Sequence, residues 1–283
     1  MQANQANFSI KRMSNMFSIE RSGYYAWAKR KPSNRAKSNE KLDKKITSIF
    51  NAHKSRYGAI RMTDELHDSG ERCSKNRVAR RMKHLGLRAK AKKKFKVTTD
   101  SNHHLPVAPN LLNRNFSATA PNQKWVGDIS YVWTDEGWIY LAVVIDLYSR
   151  AVIGWSIQST MSRQLVEDAL IMALWRRGFP RHVLFHSDRG SQYCSHDYQR
   201  MLKHYGLICS MSRKGNCWDN SVAESFFHSI KTELIYTERY ATREIAKQSI
   251  FHYIEAYYNR VRRHSAIGSI APSMFENQCK NVA

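Results

Sequence analysis

The sequence predicts an α/β fold in which a mixed sheet follows an all-α N-terminal region. Residues 121–157 contain three runs rich in Val, Ile, Tyr and Trp that short turns separate. From about residue 161 onward, segments with helical periodicity alternate with short apolar segments. Three strands in succession, followed by alternating helices and strands, are typical of a mixed α/β sheet. Upstream of residue 98, the periodic segments are helical.

Charge divides the chain in the same way. The 283 residues include 46 Lys and Arg against 23 Asp and Glu, a formal net charge of +23. Residues 1–127 contain 28 of the basic residues and 8 of the acidic ones, whereas residues 128–283 are nearly balanced at 18 and 15. Such an excess indicates a polyanionic partner, either nucleic acid or an anionic membrane surface.

Membrane insertion and secretion are not expected. The longest apolar stretch, residues 139–145, is too short to cross a bilayer, and the N-terminus lacks the apolar segment of a secretory signal. The five cysteines are scattered and form no CxxC pair, which argues against a disulfide framework. We therefore expect a cytoplasmic protein with reduced cysteines and no membrane partner.

The first part of the chain is predicted to be helical. Residues 1–40 form a basic helical segment that Pro32 and the polar run after it interrupt. Residues 41–97 form a predicted helix-turn-helix domain. Its first helix lies around residues 42–50, and two shorter helices follow near residues 60–68 and 74–85.

The last of these helices is the candidate recognition helix. Between residues 75 and 96 there are eleven Lys and Arg and no acidic residue. In a helix-turn-helix the second helix enters the major groove while its flanks contact phosphates, and such charge predicts steep salt dependence. A basic helix and tail that bind any polyanion would have the same composition, so both interpretations stay open. The predicted DNA-contacting residues here are Arg77, Arg80, Arg81, Lys83, Lys92, Lys93 and Lys94.

The remaining chain is predicted to contain a linker, the sheet domain and a tail. Residues 98–120 are polar, contain two prolines and form the linker. Residues 121–240 form the α/β domain, with strands at 124–133, 138–147 and 150–157 in an antiparallel meander. Helices and strands then alternate up to a long helix that begins near Asp219. Residues 241–283 form a basic, helical C-terminal tail.

Three acidic residues are candidates for catalysis. Asp128 lies within the first strand, where burial of a carboxylate is unfavourable unless a positive group meets it. Asp188 ends a later strand, at the position where α/β sheets gather ligands. Glu224 lies on the long helix, with Lys231 two turns further along the same face. Three convergent carboxylates suit Mg²⁺ or Mn²⁺, and two such ions promote phosphodiester chemistry.

Each carboxylate also has a structural interpretation. Glu224 is placed to cap its own helix, and Asp188 is placed to form a turn. Asp128 is equally compatible with a buried ion pair, and Asp146 is a rival carboxylate on the second strand. Composition and spacing alone leave these alternatives open.

Four segments of the chain resemble OrfB transposases of the insertion-sequence-three family, which are bacterial DDE transposases related to retroviral integrases. The resemblance runs from about residue 9 to residue 276 and rests on KWVGDISYV, HSDRGSQYCS, SRKGNCWDNSVAESFFHSIKTE and YYNRVRRHSAIGSIAP. It implies an RNase H-like catalytic core with a DDE triad at Asp128, Asp188 and Glu224, which hold two Mg²⁺ or Mn²⁺ ions, and a DNA contact at Lys231. It also implies cleavage at the ends of a mobile element and attack of the freed 3′-OH on DNA.

The same resemblance implies the partners. These are double-stranded DNA as terminal repeats and target, further copies of the chain on DNA, and OrfA as a frameshift fusion, all in the bacterial cytoplasm with the nucleoid. Two other function classes remain as hypotheses. A noncatalytic DNA-binding regulator predicts binding that needs neither metal nor the three acids, and a nonspecific nuclease predicts the chemistry without recognition of element ends.

Overall fold

The computed structural model describes residues 1–90, 105–214 and 216–280. The chain divides into two compact units, Met1–Ala89 and Lys90–Ala283. Lys92, Lys93 and Lys94, which were predicted to contact DNA, lie outside the described residues. Among the described helices, none has the length and apolar character needed to cross a membrane.

The first unit is helical, as predicted. Its helices are α1 (Ile10–Met16), α2 (Arg21–Ala28), α3 (Asn34–Ala52), α4 (Ala59–Asp68) and α5 (Lys75–His84). The start of α3 differs from the prediction. Ser33 caps this helix, since its Oγ accepts a hydrogen bond from the Ala36 N–H at 3.1 Å. The polar run after Pro32 therefore forms the first turns of α3, and the boundary predicted at residue 40 falls inside this helix.

The apolar faces of α3, α4 and α5 form the core of this unit. Ser74 begins α5 by accepting a hydrogen bond from the Arg77 N–H at 3.3 Å. The spacing of the buried residues follows the helical period, which fixes the face that each helix turns inward. These residues are Leu42, Ile46 and Phe50 of α3, Met62 and Leu66 of α4, and Val78 and Met82 of α5.

A five-stranded mixed sheet organises the second unit. Its strands are β1 (Lys124–Thr134), β2 (Gly137–Asp146), β3 (Val152–Gln158), β4 (Leu184–Ser187) and β5 (Ile208–Met211). They lie in the order β3-β2-β1-β4-β5. The first three pair antiparallel, whereas β4 runs parallel to β1 and β5 runs parallel to β4. The predicted mixed α/β architecture is thereby confirmed.

Helices connect and cover the strands. The first group is α6 (Arg163–Arg177), α7 (Ser191–Cys194) and α8 (His196–His204). A 3₁₀ turn at Cys217–Asn220 leads into α9 (Ser221–Glu233), which packs against β1. The last group is α10 (Arg243–Phe251), a π-helical segment at His252–Tyr258 and α11 (Pro272–Lys280).

Other parts of the chain cover backbone groups on both outer strands. On β5, the Met211 N–H donates to the Pro109 carbonyl at 3.4 Å. On β3, the side-chain amide of Asn259 bonds both the N–H and the carbonyl of Val152, each at 2.9 Å. From residue 105 onward, the predicted linker thus lies against the sheet, and its Leu112 is buried.

Gly154 allows β3 to lie unusually close to α6. A Cβ atom at this position would lie 2.1 Å from the Ala169 carbonyl oxygen and 2.8 Å from the Ala173 Cβ. We expect Gly154→Ala to lower the free energy of unfolding by about 1–3 kcal/mol because helix and strand must separate. Urea denaturation measures this change. Gly23→Ala in α2, where a Cβ would meet no atom of the described residues within 4 Å, is the control, and an equal loss in both variants would contradict the prediction.

Candidate active site

Two of the candidate carboxylates lie side by side because of the register between β1 and β4. These strands run parallel, with Val126 paired to His186. Asp128 lies two residues after Val126 on β1, and Asp188 lies two residues after His186, directly after the last residue of β4. Neighbouring strands are about 4.8 Å apart, which makes the two carboxylates neighbours.

Glu224 reaches the same region from the first turn of α9. Asn220, the residue before α9, donates from Nδ2 to the Gly127 carbonyl at 3.3 Å and so ties the start of the helix to β1 beside Asp128. Among the described residues, the side chain of the N-cap residue Asn220 makes no capping hydrogen bond at this helix start. The capping interpretation of Glu224 is therefore not supported, whereas a position near the other two carboxylates is.

The electrostatics of Asp128 reflect these neighbours. Burial raises the pKa of Asp128 well above its usual range, and repulsion from Asp188 and Glu224 raises this pKa further. The pKa of Glu224 is also raised, first by loss of contact with water and then by repulsion from Asp188. The three carboxylates therefore repel one another. Together, Asp128, Asp188 and Glu224 are called the acidic group below.

Lys231 lies on the same side of α9 and provides an opposing charge. Its side chain is buried, and its Nζ lies 4.9 Å from the centre of the Tyr131 ring. Burial lowers the pKa of Lys231, while the nearby Asp128 carboxylate acts in the opposite direction. The family resemblance implied that Lys231 contacts DNA. Its buried position beside Asp128 favours a different role, in which Lys231 neutralises the charge of Asp128.

The turn interpretation of Asp188 is also present in the structure. The Gly190 N–H donates to Asp188 Oδ1 at 2.9 Å. A Cβ at Gly190 would lie only 3.0 Å from that oxygen, so the absence of a side chain lets the turn close over the carboxylate. The turn orients Asp188, and this role is compatible with a place in the acidic group.

The rival carboxylate Asp146 belongs to a different environment. It is fully buried and accepts hydrogen bonds at 2.9 Å from the N–H groups of Asn122 and Tyr148. Arg177 lies 3.7 Å from it. These contacts stabilise the end of β2 and explain Asp146 as a structural residue.

The acidic group matches a divalent cation in chemistry but is not a preformed metal site. Within the ranges that the structure describes, no three His, Cys, Asp or Glu side chains lie close enough together to hold a metal ion. Asp128, Asp188 and Glu224 nevertheless offer the oxygen donors that Mg²⁺ and Mn²⁺ prefer. Repulsion among the carboxylates already raises the pKa of Asp128, and a cation beside them would relieve it.

Comparison with known proteins identifies the family. Sequence models of the integrase core domain match residues 118–217 and 224–279, and a model of the HTH-like domain matches residues 37–95. Transposase InsF for insertion sequence IS3A of Escherichia coli (strain K12) is 51% identical, over 100% of this chain and 98% of that protein. The chain belongs to the IS3 transposase family.

Two further similarities accompany this IS3-family assignment. A protein described as the insertion element IS600 uncharacterized 31 kDa protein, from Shigella sonnei, is 45% identical over 96% of this chain and 100% of its own length. Among solved structures, the HTLV-2 integrase catalytic core domain in complex with magnesium is 17% identical with a TM-score of 0.44. That match covers 56% of this chain and 99% of the integrase chain.

The basic helix of this IS3-family transposase divides its arginines between two roles. Arg77 donates from Nη2 to Ser38 Oγ and Asn39 Oδ1, both at 2.9 Å. Arg81 donates from Nε to Asp43 Oδ1 at 2.7 Å. That hydrogen bond lowers the pKa of Asp43.

Arg80 and Lys83, in contrast, are exposed on α5. Of the described residues predicted on this helix to contact DNA, two therefore hold α5 against α3, and two face solvent. Net charge could not separate these roles because it does not specify side-chain direction.

A buried ion pair connects α9 of the transposase to its C-terminal part. Arg262 donates from Nη2 to Glu233 Oε1 at 2.8 Å, and both side chains are buried. The Tyr253 hydroxyl donates to Glu233 Oε2 at 2.8 Å. One arginine of the predicted basic tail is thus an internal residue, whereas Arg260 is exposed.

Sequence reasoning missed a buried carboxylate five residues before Glu224. Asp219 is 1% exposed and receives hydrogen bonds from two arginines and an asparagine. Two of these partners come from the predicted linker, which showed no periodicity. The only local indication was the six-residue spacing between Arg213 and Asp219.

Proposed function

We propose that this transposase cleaves DNA at the ends of its element and joins the freed 3′-OH to target DNA in a divalent-metal-dependent reaction. Asp128, Asp188 and Glu224 are the catalytic residues in this proposal. The observation that supports it is the convergence of three carboxylates, from β1, from the residue after β4 and from α9, on a region where burial and their mutual repulsion raise the pKa of Asp128. Such a group is unfavourable in a merely structural role, because like charges repel.

The three carboxylates would hold two Mg²⁺ or Mn²⁺ ions. When bound, such ions activate the attacking oxygen and stabilise the leaving oxygen of a phosphodiester. The turn at Gly190 orients Asp188, and Asn220 fixes the start of the helix that carries Glu224. Lys231 offsets part of the negative charge on Asp128.

We infer that double-stranded DNA, as element ends and as target, is the partner of the helical unit. Arg80 and Lys83 are the described side chains of α5 that we expect to contact it, because they are basic and exposed. Action on paired ends by more than one copy of the chain, and fusion to OrfA, are part of the same proposal.

Substitutions on α5 separate DNA contact from support of the helix. We expect Arg80→Ala and Lys83→Ala each to weaken DNA binding and to reduce the slope of log affinity against log salt by about 1. Arg81→Gln, with Asp43→Asn as its matched control, is expected instead to lower the stability of the helical unit. Fluorescence anisotropy in a salt series and urea denaturation measure the two effects. If Arg81→Gln reduced the slope of log affinity against log salt while Arg80→Ala and Lys83→Ala did not, this division between DNA contact and helix support would be contradicted.

A strand-transfer assay tests the proposed chemistry. The substrate is a precleaved oligonucleotide of the element's own end, and the reaction is run with Mg²⁺, with Mn²⁺ and with a chelator. We expect joined products only when a divalent ion is present. The OrfA fusion is assayed in parallel. If both proteins bind the end but neither joins it with either metal, the chain is a noncatalytic DNA-binding regulator.

A further inference from the structure

Asp219 is the centre of a polar cluster between β5 and α9. Its buried carboxylate accepts hydrogen bonds from Asn110 Nδ2 and Arg114 Nε, each at 2.9 Å. Arg213 contributes three more, from its backbone N–H at 3.0 Å, Nε at 2.9 Å and Nη2 at 2.8 Å. The hydrogen bonds from Arg213 hold the pKa of Asp219 well below its usual range. Asp219 therefore stays ionised at neutral pH and holds both guanidinium groups in place.

The cluster contains more positive charge than its carboxylate can neutralise. Arg114 and Arg213 share one carboxylate, so the cluster retains a net charge of about +1. Their side chains are 46% and 48% exposed, whereas Asp219 is fully buried. In the described part of the chain, no hydrogen bond involves Nη1 of either arginine. The positive charge that Asp219 does not neutralise, and the Nη1 donors of Arg114 and Arg213, are therefore on the solvent side of the cluster.

This arginine pair, Arg114 and Arg213, lies beside the proposed catalytic residues. The residue before Arg213 is Ser212, whose N–H donates to the Ser187 carbonyl at 2.9 Å, next to Asp188. Asp219 precedes Glu224 by five residues. Trp218, the residue before Asp219, is 69% exposed and offers an aromatic face of the kind on which bases stack.

We propose that the arginine pair, held in place by Asp219, binds a backbone phosphate of DNA next to the catalytic carboxylates. Guanidinium groups bind phosphate through paired, charge-assisted hydrogen bonds, and a fixed orientation reduces the entropy lost on binding. Asp219 is in this view a positioning residue. The inference rests on the proposed function, since it takes DNA as the substrate.

Phosphate neutralisation in DNA tests the contact directly. The full chain with Asp188→Asn, which blocks turnover, serves as the parent, and duplexes of the element's end carry one uncharged methylphosphonate each. We expect the parent to lose about tenfold in affinity, measured by fluorescence anisotropy, at one or two adjacent positions. When Arg213→Gln or Arg114→Gln is added to this parent, a methylphosphonate at the same positions is expected to cause almost no further loss of affinity. The contact with that phosphate is then already missing.

A general loss of structure would give another result. It would weaken binding to all duplexes in proportion and leave the tenfold effect at each position unchanged, and this outcome overturns the proposal. Arg200→Gln is the matched control, because Arg200 is 79% exposed and paired with Asp197, and it should preserve the parental pattern. Binding alone is measured, so inactivity of the wild-type chain in strand transfer would count against the proposed chemistry and not against this contact.

Discussion

Replacement of Asp188 by asparagine, or of Glu224 by glutamine, is expected to lower the rate of strand transfer by at least about 10³-fold. Both substitutions preserve side-chain size and remove one negative charge from the group that includes Asp128. With fewer anionic oxygens, a divalent ion would be bound more weakly and placed less accurately. DNA affinity is expected to stay near that of the wild type, because the helical unit is unchanged.

Single-turnover rates on precleaved ends, with anisotropy measured on the same DNA, check this expectation. Asp146→Asn is the matched control, since Asp146 is a buried carboxylate of the same sheet with its own hydrogen bonds. It is expected to lower stability and to retain strand transfer in the fraction that folds. Wild-type rates in Asp188→Asn would show that the acidic group is structural.

Arg262→Met is expected to lower the free energy of unfolding by about 3–5 kcal/mol. The side chains of Arg262 and Glu233 are 5% and 7% exposed, so removal of the arginine takes away the cation that it places beside a buried carboxylate. The hydrogen bond from the neutral Tyr253 hydroxyl does not replace the lost charge. Because Glu233 ends α9, the substitution is also expected to loosen the helix that carries Glu224.

A double-mutant cycle, followed by urea denaturation, separates charge burial from loss of packing. We expect Arg262→Met combined with Glu233→Met to recover most of the stability that Arg262→Met loses, because no unpaired charge remains. Arg260→Gln, at an exposed position two residues earlier, is expected to have little effect. A double variant less stable than either single variant would contradict this explanation.

Local periodicity was sufficient to predict most of the fold. Runs rich in Val, Ile, Tyr and Trp between short turns predicted β1, β2 and β3, and the 3.6-residue period of apolar residues predicted α3. The start of α3 was missed since a single cap at Ser33 decided it, while composition indicated a break. The side-by-side position of Asp128 and Asp188 depends on the register of the parallel pair β1 and β4, which periodicity does not determine.

Long-range polar contacts could not be predicted in the same way. Arg114 and Asp219 are 105 residues apart, and Arg81 and Asp43 are 38 apart. No periodic pattern connects such partners, and charge composition does not indicate whether an arginine points inward or outward. For this reason the sequence indicated only a DNA contact for Arg77 and Arg81 and did not indicate that they hold α5 to α3.

The coverage of the two outer strands has a consequence for the behaviour of the chain at high concentration. Exposed strand edges are the usual starting points of intermolecular pairing and aggregation. Here the Met211 N–H of β5 and the N–H and carbonyl of Val152 in β3 are already hydrogen-bonded within the chain. At these positions, two sheets cannot pair edge to edge unless the internal hydrogen bonds are displaced first.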